Sequence, residues 1–326
     1  MKEKQKQKYL FFRFFVWGGR LFSWGCVFFV LLKLRDFWEK VKFFDVTPVD
    51  FLFIIGIVVF WSAVNYVSCF MWGKLAGCLS DKHLNFADLA YLFARSNLAK
   101  YLPGNVMHYV SRSILAQKYH IPLQVTALTS FLDATLSAGA AFLFVSVTLH
   151  WEFLVLTVLA KEWLRAIGAI FVTALLIGVA LLKKALPHIF SGRFSKMFLG
   201  VLFQNTLLYL LYYFITSCIF YVLLLIVRNS GPHYPVYSYN FFQIAGLYTL
   251  AWLIGYLIPG ASGGIGVREA MLLTLFRSFA AQETILTTAL LLRTLSILSE
   301  VFAYAFSVIR YTTGRVITRG DKRPKT

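Results

Sequence analysis

The sequence predicts an all-α integral membrane protein of about six full transmembrane helices plus two re-entrant broken-helix hairpins, arranged as an inverted repeat. Three observations predict this. The 326 residues are 59% hydrophobic and 14% charged, with a mean hydropathy of +0.70, whereas a soluble domain has ~45–50% apolar and ~25% charged residues. Several runs are long enough to cross a bilayer. Two further apolar regions are each broken by a central Pro-Gly. This balance excludes an ordinary cytosolic enzyme.

A span needs ~20 apolar residues, because a helix in hydrocarbon must pair every backbone N–H and C=O within itself. Six stretches qualify: 14–32, 51–72, 125–149, 166–182, 199–227 and 285–309. Arg20 in the first can snorkel to the interface, and with no small-residue cleavage site after it the segment reads as a retained helix. Ser62 and Asn65 in the second, and Gln204 and Asn205 in the fifth, read as inter-helix hydrogen-bonding groups. The regions 86–118 and 241–278 are interrupted at Pro103-Gly104 and Pro259-Gly260. Proline removes a donor and clashes with the preceding turn, so each region is expected to form two half-helices that re-enter on the side they came from. Broken backbone at membrane depth survives only where protein or a wet cavity covers it, so the breaks are expected to line a site.

The net charge of +18 is read by position. The tail at 1–13 holds Lys2, Lys4, Lys6, Lys8 and Arg13 against Glu3. The loop after the fourth span holds Lys183, Lys184, Arg193 and Lys196, and the tail at 311–326 holds Arg315, Arg319, Lys322, Arg323 and Lys325 against Asp321. Residues 33–50 balance four basic with four acidic groups. The positive-inside rule then places both termini and the basic loops in the cytoplasm. The charge is a topology signal reinforced by anionic headgroups, and no soluble domain exists to carry nucleic acid.

The repeat covers about 86–149 and 242–309. Arg112 follows Pro103 by nine residues and Arg268 follows Pro259 by nine; Thr135-Leu136-Ser137 and Thr294-Leu295-Ser296 close the two copies. Three crossings between the breaks make the hairpins enter from opposite faces, with a site near the midplane. One membrane domain, 1–326, contains everything.

Substrate-binding candidates gather at the breaks. Asn105, His108 and Arg112 share a helical face after the first, with Lys100 and Arg95 approaching from before it. A half-helix beginning at Gly104 points unpaired N–H groups and its positive dipole end at the break, which suits an anion such as phosphate. The second break holds Gly260, Ser262, Gly263 and Gly264, whose amides can approach a headgroup closely. Arg268 and Glu269 point ~100° apart on a helix, so one can bind substrate while the other pairs with a neighbouring helix. The gating or coupling candidates are Asp133, Glu269, Arg293 and Glu300, ionisable groups that are costly inside spans. Asp133 shares a face with Ser130 and Ser137, and Arg293 with Ser296 and Glu300. Asp133 and Arg293 hold equivalent repeat positions and could pair across the pseudo-symmetry axis, as a structural link or a gate.

No catalytic set, metal site or cofactor is expected. Cys26, Cys69, Cys78 and Cys218 stand apart, the six histidines are scattered, and no nucleophile elbow or carboxylate pair is present. His108 is the one acid/base candidate beside Arg112. The 33 Phe, 17 Tyr and 8 Trp suit interfacial belts and a groove for lipid tails.

The stretch Ser96-Asn97-Leu98-Ala99-Lys100-Tyr101-Leu102-Pro103-Gly104-Asn105-Val106 with Arg112, and the stretch from Pro259-Gly260 through Gly263-Gly264-Ile265-Gly266-Val267-Arg268-Glu269-Ala270, resemble the two signature segments of the lysylphosphatidylglycerol synthase transmembrane-region family. The resemblance spans nearly the whole chain. It implies a multi-pass module of a bacterial or archaeal cytoplasmic (inner) membrane that, in bifunctional members, moves an aminoacylated phospholipid between leaflets. Stand-alone members are tied to polyprenyl-, hopanoid- or glycolipid-related pathways. Residues 311–326 leave no room for the soluble synthase domain, so synthesis is not expected to transfer. Ala261-Ser262 also stands where the family pattern has a tighter Gly-Gly. The leading expectation is a lipid translocase or transporter taking an anionic, phosphate-bearing or glycosylated headgroup. Movement would be facilitated or driven by a proton or ion gradient, since no ATP motif is present. The alternatives are a membrane transferase using His108, Asp133 or Glu269, and a non-catalytic partner of a separate cytoplasmic glycosyl or aminoacyl transferase. A homodimer is compatible with this class of architecture, although no residue pattern marks an interface.

Overall fold

The computed structural model describes residues 48–80, 84–101, 107–149, 192–229, 240–258, 264, 266–277 and 280–320, with Lys82 and Thr173. Among these residues all regular structure is helical. In chain order the elements are α1 (Pro48–Ser80), α2 (Phe86–Asn97) with a 3₁₀ turn (Leu98–Tyr101), α3 (Met107–Gln117), α4 (Leu123–Thr148), α5 (Gly192–Asn229), α6 (Phe241–Leu257), α7 (Val267–Leu275) and α8 (Gln282–Gly320). Four of them, α1, α4, α5 and α8, are long and apolar enough to cross a membrane. Their outward faces carry Phe53, Phe203, Leu211 and Phe302 exposed, as lipid-facing helices require. The chain is an α-helical membrane protein. The expected spans 14–32 and 166–182 lie outside the described residues.

The spans run past their expected ends. The stretch 51–72 extends to Pro48–Ser80, 199–227 to Gly192–Asn229, and 285–309 to Gln282–Gly320. Hydropathy marks where lipid is met, but a helix continues into the headgroup region until something stops it. The expected tail at 311–326 is therefore helical as far as Gly320.

Each Pro-Gly region is two helices. Asn85 caps α2, its side chain accepting from the Asp88 N–H at 2.8 Å, and the helix tightens into the 3₁₀ turn before Pro103. Asn240 and Gln243 form a capping box on α6, which ends at Leu257, short of Pro259. The residue before a proline is pushed out of the helical region, which accounts for the stop of α6, where Ile258 is extended. After the second break Gly266 takes φ +83°, and its N–H donates to Glu269 Oε2 at 2.7 Å, capping α7.

Three apolar clusters bind the bundle among the described residues, and two of them show how. In one, Trp72 and Leu75 of α1 pack with Leu92 and Phe93 of α2 and Ala116 of α3. In the other, Phe220 of α5 stacks on Tyr248 of α6 at 4.7 Å beside Phe276 and Leu295. Polar cross-links add register: Ser62 donates to the Ser299 carbonyl at 2.8 Å, Asn65 to Ser299 Oγ at 3.3 Å, and Asn205 to the Met71 carbonyl at 3.1 Å. α6 comes close to α4 because Gly246 has no side chain there; a Cβ would stand 2.6 Å from Thr148 Oγ1.

Candidate functional site

Helices on either side of the two Pro-Gly segments line one cavity of about 200 Å³. Lys100 and Tyr101 reach it from the 3₁₀ turn, His108, Tyr109 and Arg112 from α3, and Asp133 and Ser137 from α4. Tyr209 and Tyr212 come from α5, Trp252, Gly255 and Tyr256 from α6, Arg268 from α7, and Arg293 and Ser296 from α8. The first region thus supplies one wall and the second the other. They touch where the hydroxyls of Tyr109 and Tyr256 share a hydrogen bond of 2.6 Å.

Three ion pairs organise the charge. Arg112 Nη1 lies 3.7 Å from Asp133 Oδ2, Glu269 meets Arg293, and Glu300 meets Lys100. In both regions the short helix after the break is tied to the next span by one pair, α3 to α4 and α7 to α8. The polarity is reversed: the arginine sits on the short helix in the first and on the span in the second. Asp133 and Arg293, which their positions suggested could pair with each other across the two regions, do not do so. Each finds a nearer partner on the short helix packed against it.

The two arginines at equal offset from the prolines differ. Arg112 is 2% exposed. Its Nε donates to Ser96 Oγ at 3.2 Å, its Nη2 to Asn97 Oδ1 at 2.7 Å, and its plane lies 4.0 Å from the Phe93 ring centre. Nη1, facing Asp133, has no hydrogen-bond acceptor. The guanidinium is thus held on two of its nitrogens, and the third is buried against Asp133. Arg268 is half-buried, donates to Tyr248 Oη at 2.5 Å and lies over that ring at 4.9 Å. It has no carboxylate partner among the described residues. Gly255 makes the room for it, since a Cβ there would stand 3.2 Å from Arg268 Cβ. Gly264 takes φ +75°, and a Cβ there would stand 3.4 Å from the Gly255 carbonyl oxygen.

Of the remaining expected residues, His108 borders the cavity, its ring tilted against Tyr109 with ring centres 3.8 Å apart, and its Nδ1 is buried without a hydrogen-bond partner. Lys100 is drawn into the cavity by Glu300 and does not sit out at the interface. Glu269 divides the work with Arg268 as their angular separation requires: it caps α7 with one oxygen and holds Arg293 with the other, while Arg268 faces the cavity. Gly104, Asn105, Gly260, Ser262 and Gly263 lie outside the described residues. Arg95 is not part of the lining; it donates to Tyr91 Oη at 2.8 Å.

Sequence reasoning passed over the aromatic wall. Tyr209 donates to Asp133 Oδ1 at 2.6 Å, Tyr213 to the Ser137 carbonyl at 3.0 Å, and Trp252 stacks on Tyr256 at 4.9 Å. Its signal was present: Tyr209, Tyr212 and Tyr213 share one helical face of α5, and Tyr248, Trp252 and Tyr256 recur every four residues on α6. A phenol or indole facing lipid has nowhere to hydrogen-bond, so such a stripe marks the polar side of a span.

Among the described residues no group of His, Cys, Asp and Glu could hold a metal ion. No family model, curated protein or solved structure matches the chain.

Proposed function

We propose that the chain is a lipid translocase that takes an anionic, phosphate-bearing or glycosylated headgroup into this cavity and leaves the tails in lipid. The observation that carries the reading is the charge balance. Lys100, Arg112, Arg268 and Arg293 line the cavity, and Asp133, Glu269 and Glu300 answer three of them, which leaves Arg268 as the cation at the wall without a carboxylate among the described residues. A buried charge without a counter-ion is costly, and an anionic headgroup supplies one. The volume argues the same way. About 200 Å³ is below the ~300–1,000 Å³ of pockets that enclose a drug-sized ligand, so it suits a headgroup and not a whole lipid. The resemblance of the two Pro-Gly segments to the lysylphosphatidylglycerol synthase transmembrane-region family supports a lipid substrate, and the inner membrane with both termini cytoplasmic is the location we assign.

The test is reconstitution into liposomes carrying fluorescent anionic or zwitterionic lipids. Anionic probe is expected to become accessible in the opposite leaflet, chemically unchanged, with Arg268→Gln abolishing the movement in folded protein. A chemically altered lipid would instead make the protein a transferase, with His108 as its acid/base. Inactivity until a cytoplasmic partner is added would make it a recruiting subunit.

A further inference from the structure

Glu300 is a carboxylate with one oxygen paired and the other buried without a hydrogen-bond partner. It is 7% exposed. Oε1 accepts from Lys100, and Oε2 is buried with no hydrogen-bond partner. Glu300 also borders a second, smaller hollow of about 10 Å³ between α1, α2 and α8, together with Asn65, Cys69 and Asn97. That is the room of a single water, for which ~10–15 Å³ and a few polar partners are needed. Asn97 lines both this hollow and the main cavity. Its Oδ1 is taken by Arg112, which leaves its amide N–H groups as donors. Asn65 uses its Nδ2 on Ser299, which leaves its oxygen as an acceptor. The hollow thus gathers Glu300, Asn65 and Asn97 about the room of one water, and Asn97 borders the main cavity as well.

We propose that Glu300 is a proton-binding site that couples headgroup binding to proton uptake. The proton passes from water to Oε2 and forms the neutral acid; Lys100 keeps its own proton and is released from its counter-ion into the cavity. The cavity's excess then rises from one positive charge, on Arg268, to two, so the protonated state binds an anion more tightly. By reciprocity, anion binding draws in the proton. The groups facing Glu300 are Lys100 and Tyr101 from the 3₁₀ turn, Tyr66 and Cys69 from α1, Tyr212 from α5, and Arg293 two turns earlier on α8, itself held by Glu269. Among the described residues Lys100 is the cation in direct contact with it.

This inference rests on the anionic-headgroup reading, and the experiment separates the two. Purified protein in weakly buffered detergent is titrated with short-chain phosphatidylglycerol while proton uptake and affinity are followed against pH. Wild type is expected to take up protons on binding, with affinity falling as the pH rises, by up to about tenfold per pH unit. Glu300→Gln, which still accepts from Lys100, and Lys100→Gln are each expected to bind without proton uptake and with a flat pH profile. A wild-type slope retained in either folded variant overturns the proposal, as does an affinity that follows sodium at constant pH. Flipping with pH-independent binding removes the proton site and leaves the translocase. Proton-linked binding without flipping removes the translocase and leaves the site.

Discussion

Arg112 and Arg268 hold the same place relative to their prolines but are expected to respond differently to the same change. Arg112→Gln leaves Asp133 buried beside an uncharged neighbour, and breaking a buried pair this way costs about 3–5 kcal/mol, a large fall in thermal midpoint in detergent. Arg268→Gln keeps a donor for Tyr248 Oη and should change stability by less than ~1 kcal/mol while weakening anionic headgroup binding at least tenfold. Equal destabilisation by both variants would show that Arg268 is structural. The sequence singled out both arginines because their spacing is identical. It could not distinguish them, because the difference lies in Ser96, Asn97 and Asp133, which come to one arginine only through the packing of α2, α3 and α4.

Helix contacts set the next scale, and two glycines on long helices test them in opposite directions. Gly246→Ala would push a methyl to 2.6 Å from Thr148 Oγ1 and 2.7 Å from Leu149 Cγ, so overpacking between α4 and α6 is expected to cost ~1–3 kcal/mol. Gly200 on α5 has nothing within 4 Å of an added Cβ, and Gly200→Ala should stabilise by up to ~1 kcal/mol from helix propensity alone. Thermal unfolding of the two variants, measured side by side, checks both signs. The elements themselves were legible. Pro259 marks the helix stop at Leu257, because a proline acts on its own backbone and needs no tertiary context. The ends at Ser80 and Gly320 were not, because nothing local stops a helix where the apolar run ends.

For the whole molecule, the outer surface reports the solvent. Leu211 lies near the middle of the Met197–Arg228 span and is 51% exposed. Leu211→Arg is expected to oppose membrane insertion by ~2.5–3.5 kcal/mol, with Leu211→Ala close to wild type in an insertion reporter; equal insertion of the two would place that face against protein. Composition made the membrane class plain, since lipid contact is an average property of many residues. Which polar groups meet inside is a property of pairs, so Asp133 and Arg293, matched by position, found different partners. The length of α8 has a mechanical consequence. Its 39 residues span ~58 Å at ~1.5 Å per residue, against a hydrocarbon core of ~30 Å. Ser299, near the helix midpoint, is where α1 grips it. The helix is thus a lever with its fulcrum deep in the bundle: a tilt of about ten degrees there, too small to disturb the packing around it, swings the far end by roughly 5 Å.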